Sequence, residues 1–218
     1  MINTPLTILF ITLLILIFLK VPVAFSLAGS CIVYLLLKGI PLSIFTQHFI
    51  IMLDSFTLLA IPFFILMGQI MSRGGIMRRI VKFCEVCIGH VSGGLAHVNV
   101  LTSMILAGMS GSAISDAAMT SSILVPEMER EGYSRDYAAA VTGASATIGP
   151  IIPPSIPMVL VGAFNELSIG RLFFGGFFPG VLMGLAMMIL IYFQAKKRGF
   201  PVRERRANFS EIKKAFFD

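Results

Sequence analysis

The sequence predicts an all-α integral membrane protein of about five spanning helices, with a re-entrant helical hairpin and a broken helix. Three observations carry that prediction. The 218 residues are 56% hydrophobic, with a mean hydropathy of +0.91 and only 13% charged residues, roughly half the charged share of a soluble domain. The apolar residues fall in blocks near the ~20 residues that cross a bilayer core. Two of these blocks are interrupted by Gly, Ser and Pro at points where a helix cannot run on.

The net charge of +6 does not point to nucleic acid, because the cations end apolar blocks rather than forming a stripe. Lys196, Lys197, Arg198, Arg203, Arg205 and Arg206 directly follow the last block, as expected of a cytoplasmic loop. Met1 to Thr4 carry no basic region and no small-residue cleavage site follows, so the first block is expected to stay on the mature chain as a span. Cys31, Cys84 and Cys87 are too few and too uneven for a disulfide framework.

The chain divides into residues 1–55 and 56–218. In the first part, 5–19 and 21–37 are spans joined by a tight turn at Lys20 and Pro22, with Lys20 facing the cytoplasm. Residues 41–54 mix apolar positions with Ser43, Gln47, His48 and Asp54, which reads as an interfacial amphipathic helix. In the second part a span covers 56–72, with Pro62 expected to kink it. Basic residues Arg73, Arg78, Arg79 and Lys82 follow, and a second charged cluster runs from Glu127 to Asp136. Both clusters read as cytoplasmic, so the intervening segment must leave that side and return. Its middle, 106–119, is crowded with Gly, Ser and Ala. A re-entrant hairpin over about 91–130 meets both requirements, provided its irregular tip is buried in protein or lines a wet cavity. The next block, about 137–164, contains Gly149, Pro150, Pro153, Pro154 and Pro157 and is expected as a broken helix, one half ending before Gly149 and the other starting near Ser155. A last span over 172–194 leads into a cytoplasmic tail, 195–218.

Chemistry concentrates at the two interruptions. Gly108-Met109-Ser110-Gly111-Ser112-Ala113-Ile114-Ser115-Asp116 places three hydroxyls and a carboxylate in the middle of a membrane block, where a charge is costly and marks a functional site. Glycine admits close backbone approach, and the helix that follows points free amides at an anion. Close packing of helices explains the small residues equally well, but it does not explain Asp116. Thr142 to Pro150, followed by Pro153, Pro154 and Ser155, exposes a carbonyl end and an amide end at one point, a geometry that holds ion and substrate together.

These two motifs, with Leu59-Ala60-Ile61-Pro62-Phe63-Phe64 and Phe173-Phe174-Gly175-Gly176-Phe177-Phe178-Pro179-Gly180, resemble the large permease subunit of tripartite ATP-independent periplasmic (TRAP) transporters over essentially the whole chain. The resemblance implies one inverted-repeat half of an elevator-type, sodium-coupled importer of small organic anions in the bacterial inner membrane. Such anions include C4-dicarboxylates, sialic acid and sugar acids. It implies scaffold or oligomerisation spans in 1–55 and a transport-type repeat in 56–218. The partners implied are a small membrane subunit, a periplasmic substrate-binding protein and a second repeat half, all working in a lipid bilayer. No cofactor is implied beyond Na+ as coupling ion. Carried over by position, Ser110, Gly111, Ser112, Thr147, Gly149 and Pro150 would line a sodium site, with Asp116 and Ser145 in support. Pro153, Pro154 and Ser155 would shape the substrate cavity. The family's subunit is about twice as long as this sequence.

Three rival readings follow from the same residues. A non-transporting membrane scaffold or truncated permease would show no sodium dependence. Gly108-Met109-Ser110-Gly111 matches the pattern around the serine of an intramembrane protease, but His48, His90 and His97 all precede Ser110, whereas that serine's base follows it. Cys84-Glu85-Val86-Cys87 lacks the further ligands that zinc requires and reads as packing on an amphipathic helix.

Overall fold

A computed structural model describes residues 4–200 and 209–217. Met1, Arg203, Arg205, Arg206 and Asp218 lie outside the described residues. The chain forms two compact units, Met1–Ser55 and Phe56–Asp218, and the described residues contain helices and no strand.

In the first unit α1 (Thr4–Phe18) and α2 (Val23–Leu37) pack together, and α3 (Leu42–Leu53) follows. The reversal between α1 and α2 places Lys20 at φ +61°, with the Val21 amide returning to the Leu16 carbonyl at 3.1 Å. Ser26 and Ser30 are buried on α2, and their hydroxyls donate to the Val21 and Leu27 carbonyls at 3.2 and 2.9 Å. Polar groups are thereby satisfied without water, as a bilayer requires. Gly29 between them admits the Leu16 side chain. The outward faces carry exposed Phe10, Leu14, Phe18 and Phe25, the arrangement of a protein whose solvent is lipid.

The second unit opens with a 3₁₀ turn, Phe56–Leu59, that leads into α4 (Ala60–Arg73). Pro62 does not kink a span as expected. It falls in the first turn of α4, where a missing N–H removes no helical hydrogen bond. In α5 (Ile76–Ile88), Met77, Val81 and Cys84 are buried while Arg78, Arg79 and Lys82 are exposed. Cys84 packs with Val98, Leu106 and Leu124.

The centre of the unit is α6 (Gly94–Ser110), against which α4, α5, α7 (Ala113–Arg130), α8 (Arg135–Ala146) and α10 (Ile169–Arg198) all pack. α6 and α7 form a hairpin over the segment marked in the sequence. α8 and α9 (Ile156–Phe164) are the two halves of the broken helix. At 1.5 Å per residue these halves are about 18 and 14 Å long, each near half of a ~30 Å hydrocarbon core. Among the described residues α10 alone is long and apolar enough for a complete crossing, while α1, α2 and α6 are apolar but shorter. α10 exposes Phe174, Phe178, Leu182, Ile189 and Phe193 on one face and buries Gly176, Gly180, Gly184, Ile191 and Ala195 on the other.

Lys196, Lys197 and Arg198 occupy the last turn of α10, where cations meet unpaired carbonyls. At the end of α10 remote from its N-terminus, the Phe200 ring lies 4.5 Å from Tyr133 and 4.9 Å from Tyr137, and the Arg198 guanidinium stands over Tyr137 at 5.4 Å. Burial pushes the Tyr133 phenol well above its ordinary value, so this phenol stays protonated. The expected tail contains a further helix, α11 (Phe209–Phe217), which packs on α5.

Candidate functional site

Two chain reversals build the site. α6 ends at Ser110, and Gly111 supplies the left-handed turn at φ +58°. Ser112 is extended and caps α7, its Oγ accepting from the Ser115 amide at 3.4 Å. Asp116 sits in the first turn of α7, at the amide end that favours a carboxylate, and is fully buried. The Ser110 hydroxyl donates to Asp116 Oδ1 and accepts from the Ser112 amide at 3.2 Å. Asp116 Oδ2 has no partner within the described chain.

The second reversal is the break, 147–155. Amides of Thr147, Ile148 and Gly149 tighten onto the carbonyls of Ala144, Ser145 and Ala146, and the prolines beyond cannot continue the ladder. The Pro153–Pro154 peptide is cis. Ser155 restarts the helix: its Oγ accepts from the Met158 amide at 3.3 Å and donates to the Pro150 carbonyl.

Tip and break meet backbone to backbone. A Cβ added at Gly111 would lie 2.7 Å from the Pro154 carbonyl and 3.1 Å from the Ile156 nitrogen. One added at Gly149 would lie 2.5 Å from Asp116 Oδ2 and 3.4 Å from the Ala113 nitrogen. The carbonyl ends of α6 and α8 and the amide ends of α7 and α9 therefore converge beside a buried carboxylate. Such a point offers oxygen to a cation and N–H dipoles to an anion.

Of the residues singled out in the sequence, Ser110, Gly111, Ser112, Asp116 and Gly149 come together here, with Pro150 tied in through Ser155. Thr147 is different: its side chain is exposed and its hydroxyl donates to the Ala144 carbonyl at 2.7 Å. Ser145 lies deeper, in a buried cluster that joins α6 to α8. Asn99 Nδ2 donates to Thr142 Oγ1 at 2.7 Å, Ser145 Oγ donates to Asn99 Oδ1 at 3.1 Å, and Ser103 Oγ donates to Ser145 Oγ at 2.9 Å. Pro153 and Pro154 turn carbonyls toward Gly108 and Gly111.

A cavity of about 540 Å³ opens beside the tip, lined by Ser110, Ser112, Ser115 and Ile156 on one side and by Phe64, Gly68 and Gln69 of α4 on the other. Pro153, Pro154 and Ser155 are not in that lining. Gln69 was missed in the sequence, although it is the one amide side chain in the apolar run of 60–71. Asn99 and Ser103 were missed as well.

The Ser110 hydroxyl is engaged by a carboxylate and not by a histidine. His97 lies toward the other end of α6, about 20 Å away at 1.5 Å per residue. Among the described residues no group of three His, Cys, Asp or Glu could hold a metal ion. Carboxylate, hydroxyl and carbonyl oxygens suit a hard cation instead.

The chain is similar in sequence to known proteins over most of its length. The model of the DctM component of the tripartite ATP-independent periplasmic transporter matches residues 10–217. The chain is 40% identical over 205 residues to the sialic acid TRAP transporter large permease protein SiaM of Vibrio cholerae, covering 92% of this chain and 48% of that protein. It is 44% identical over 163 residues to the 2,3-diketo-L-gulonate TRAP transporter large permease protein YiaN of Escherichia coli, covering 75% and 38%. A C4-dicarboxylate TRAP transporter large permease protein, DctM of Pseudomonas aeruginosa, is 43% identical over 152 residues, covering 70% and 36%. The chain spans less than half the length of these relatives.

Proposed function

Because the chain belongs to the family of the DctM component of tripartite ATP-independent periplasmic transporters, we propose that it forms one repeat of a sodium-coupled permease that imports small organic anions across the bacterial inner membrane. The observation that carries this reading is the convergence of four helix ends beside fully buried Asp116, whose Oδ2 lacks a partner. In hydrocarbon an unpaired carboxylate oxygen is costly, and a coupling ion would relieve that cost. Na+, taken as transported substrate, would be held by Asp116, Ser110 and backbone carbonyls of the tip and break. The Ala113 and Ile156 amide ends and the cavity bearing Gln69, Ser112 and Ser115 would receive the carboxylate of the imported anion.

The relatives named for sialic acid, 2,3-diketo-L-gulonate and C4-dicarboxylates support recognition of a carboxylate. A periplasmic binding protein would deliver the anion, a small membrane subunit would brace the permease, and a second repeat would complete the cavity in an elevator cycle.

The test uses the complete permease, with its small subunit and binding protein, reconstituted in vesicles. Uptake of labelled C4-dicarboxylate, sialic acid and sugar acids is expected under an inward sodium gradient and not under an equal potassium gradient. Uptake of the same size with potassium would remove sodium coupling. No uptake of any anion by an assembled complex would favour the non-transporting scaffold.

A further inference from the structure

Ion coordination does not by itself account for the glycines of α10, a helix absent from the lining of the cavity. Gly176, Gly180 and Gly184 are spaced by four residues and share the buried face of α10. What stands opposite each one differs. A Cβ on Gly176 would meet the Met158 side chain and lie 2.5 Å from the Ile151 carbonyl oxygen, which is backbone of the break. A Cβ on Gly180 would run into Ile152 Cγ1, with the Ile152 nitrogen at 3.4 Å. At Gly184 it would meet only the side chain of Met104 on α6. Gly175, the neighbour of Gly176, has nothing within 4 Å.

Small residues along a membrane helix are often no more than a packing surface. Two facts separate Gly176 and Gly180 from that case. The atoms facing them include main chain of the break, which cannot rotate aside as a methionine side chain can. The break's other flank, at Gly149, faces the buried, unpartnered Oδ2 of Asp116. The segment is thus flanked by α10 on one side and by the hairpin tip with Asp116 on the other.

We infer that Gly176 and Gly180 are positioning residues, which seat the backbone of the break against α10 and so fix its oxygens at the distance from Asp116 that ion binding requires. This rests on the reading that the ion binds between tip and break. An added methyl at Gly176 pushes the Ile151 peptide into that space, whereas one at Gly184 disturbs only a methionine.

The experiment compares Gly176→Ala, Gly184→Ala and Gly175→Ala in the complete permease with its partners. Backbone hydrogen exchange is followed over residues 147–158, and the sodium concentration for half-maximal uptake is measured. Gly176→Ala is expected to speed exchange across the break. It should also raise the sodium requirement by about tenfold or more, the scale on which groups that orient a metal's ligands act, with the maximal rate at saturating sodium largely kept. Gly184→Ala and Gly175→Ala should change neither, even where Gly184→Ala lowers the melting temperature. Equal exchange in the Gly176 and Gly184 variants, or an undisturbed break in Gly176→Ala, would reduce the glycines to packing.

If native uptake ignores sodium, the ion reading falls by itself, and the exchange comparison still decides whether α10 seats the break. Should Gly176→Ala not assemble, Gly180→Ala carries the test. Its sodium requirement should rise, and pairing it with Ile152→Ala, which removes the colliding Cγ1, should bring the requirement back. A pair no better than the single variant overturns the inference.

Discussion

Asp116 and Gly149 are matched to one another across the contact between tip and break. Asp116 fills the space a side chain at 149 would need, and Ser110 holds one of its oxygens while leaving the other toward the break. On the proposed function sodium is expected to raise the melting temperature of the complete permease, and Gly149→Ala should abolish that rise and cut uptake by at least about tenfold. Asp116→Asn keeps the shape and removes the charge. A sodium response equal to that of the native protein in this variant would exclude the carboxylate as an ion ligand. Ser110→Ala strips a donor from a buried carboxylate, and a loss of about 1–3 kcal/mol is expected in thermal or denaturant unfolding of the solubilised permease.

At the scale of elements, the hairpin and the broken helix were readable because Gly, Ser and Pro are conspicuous inside apolar runs and have local consequences. A left-handed turn needs glycine at 111, and a proline cannot accept the role of a mid-helix donor at 150, 153 or 154. The cluster that binds α6 to α8 was not readable. Asn99 and Ser103 recur at ordinary helical spacing, and nothing local tells that they face Thr142 and Ser145 more than forty positions later, as their hydrogen bonds at 2.7 and 2.9 Å do. Thr147 shows the converse. Its place in the motif put it among the expected ion ligands, whereas as the C-cap of α8 it has an exposed side chain whose hydroxyl is turned back to the Ala144 carbonyl. Asn99→Leu should remove the two hydrogen bonds that tie Asn99 to α8, with Thr142 and Ser145 keeping their bonds to the Ala138 and Thr142 carbonyls, and lower stability by about 1–2 kcal/mol. Thermal unfolding of the solubilised permease measures this. A variant as stable as the native protein would show that the cluster only fills space.

For the molecule as a whole, the proposed function puts ion and anion on different sides of the hairpin tip. Asp116 faces the break, whereas Gln69, Ser112 and Ser115 face the cavity. Gln69→Leu is therefore expected to raise the substrate concentration for half-maximal uptake by about 5- to 100-fold, the loss of a hydrogen bond or two, while the sodium requirement stays within a factor of about two. A joint shift in both quantities would mean that α4 acts on the tip as a body. The two halves of the broken helix are also held unequally. α8 is stitched to α6 by side-chain hydrogen bonds, whereas among the described residues none joins α9 to another helix, and α9 buries only Val159 and Gly162. The break thus joins one limb tied by side-chain hydrogen bonds to one held by apolar packing against α4 and α10. On the proposed function, a shift at Gly149 would reach α9 through the break while α8 stays tied to α6, which would make the second half of this helix the pointer on which occupancy of the site is displayed.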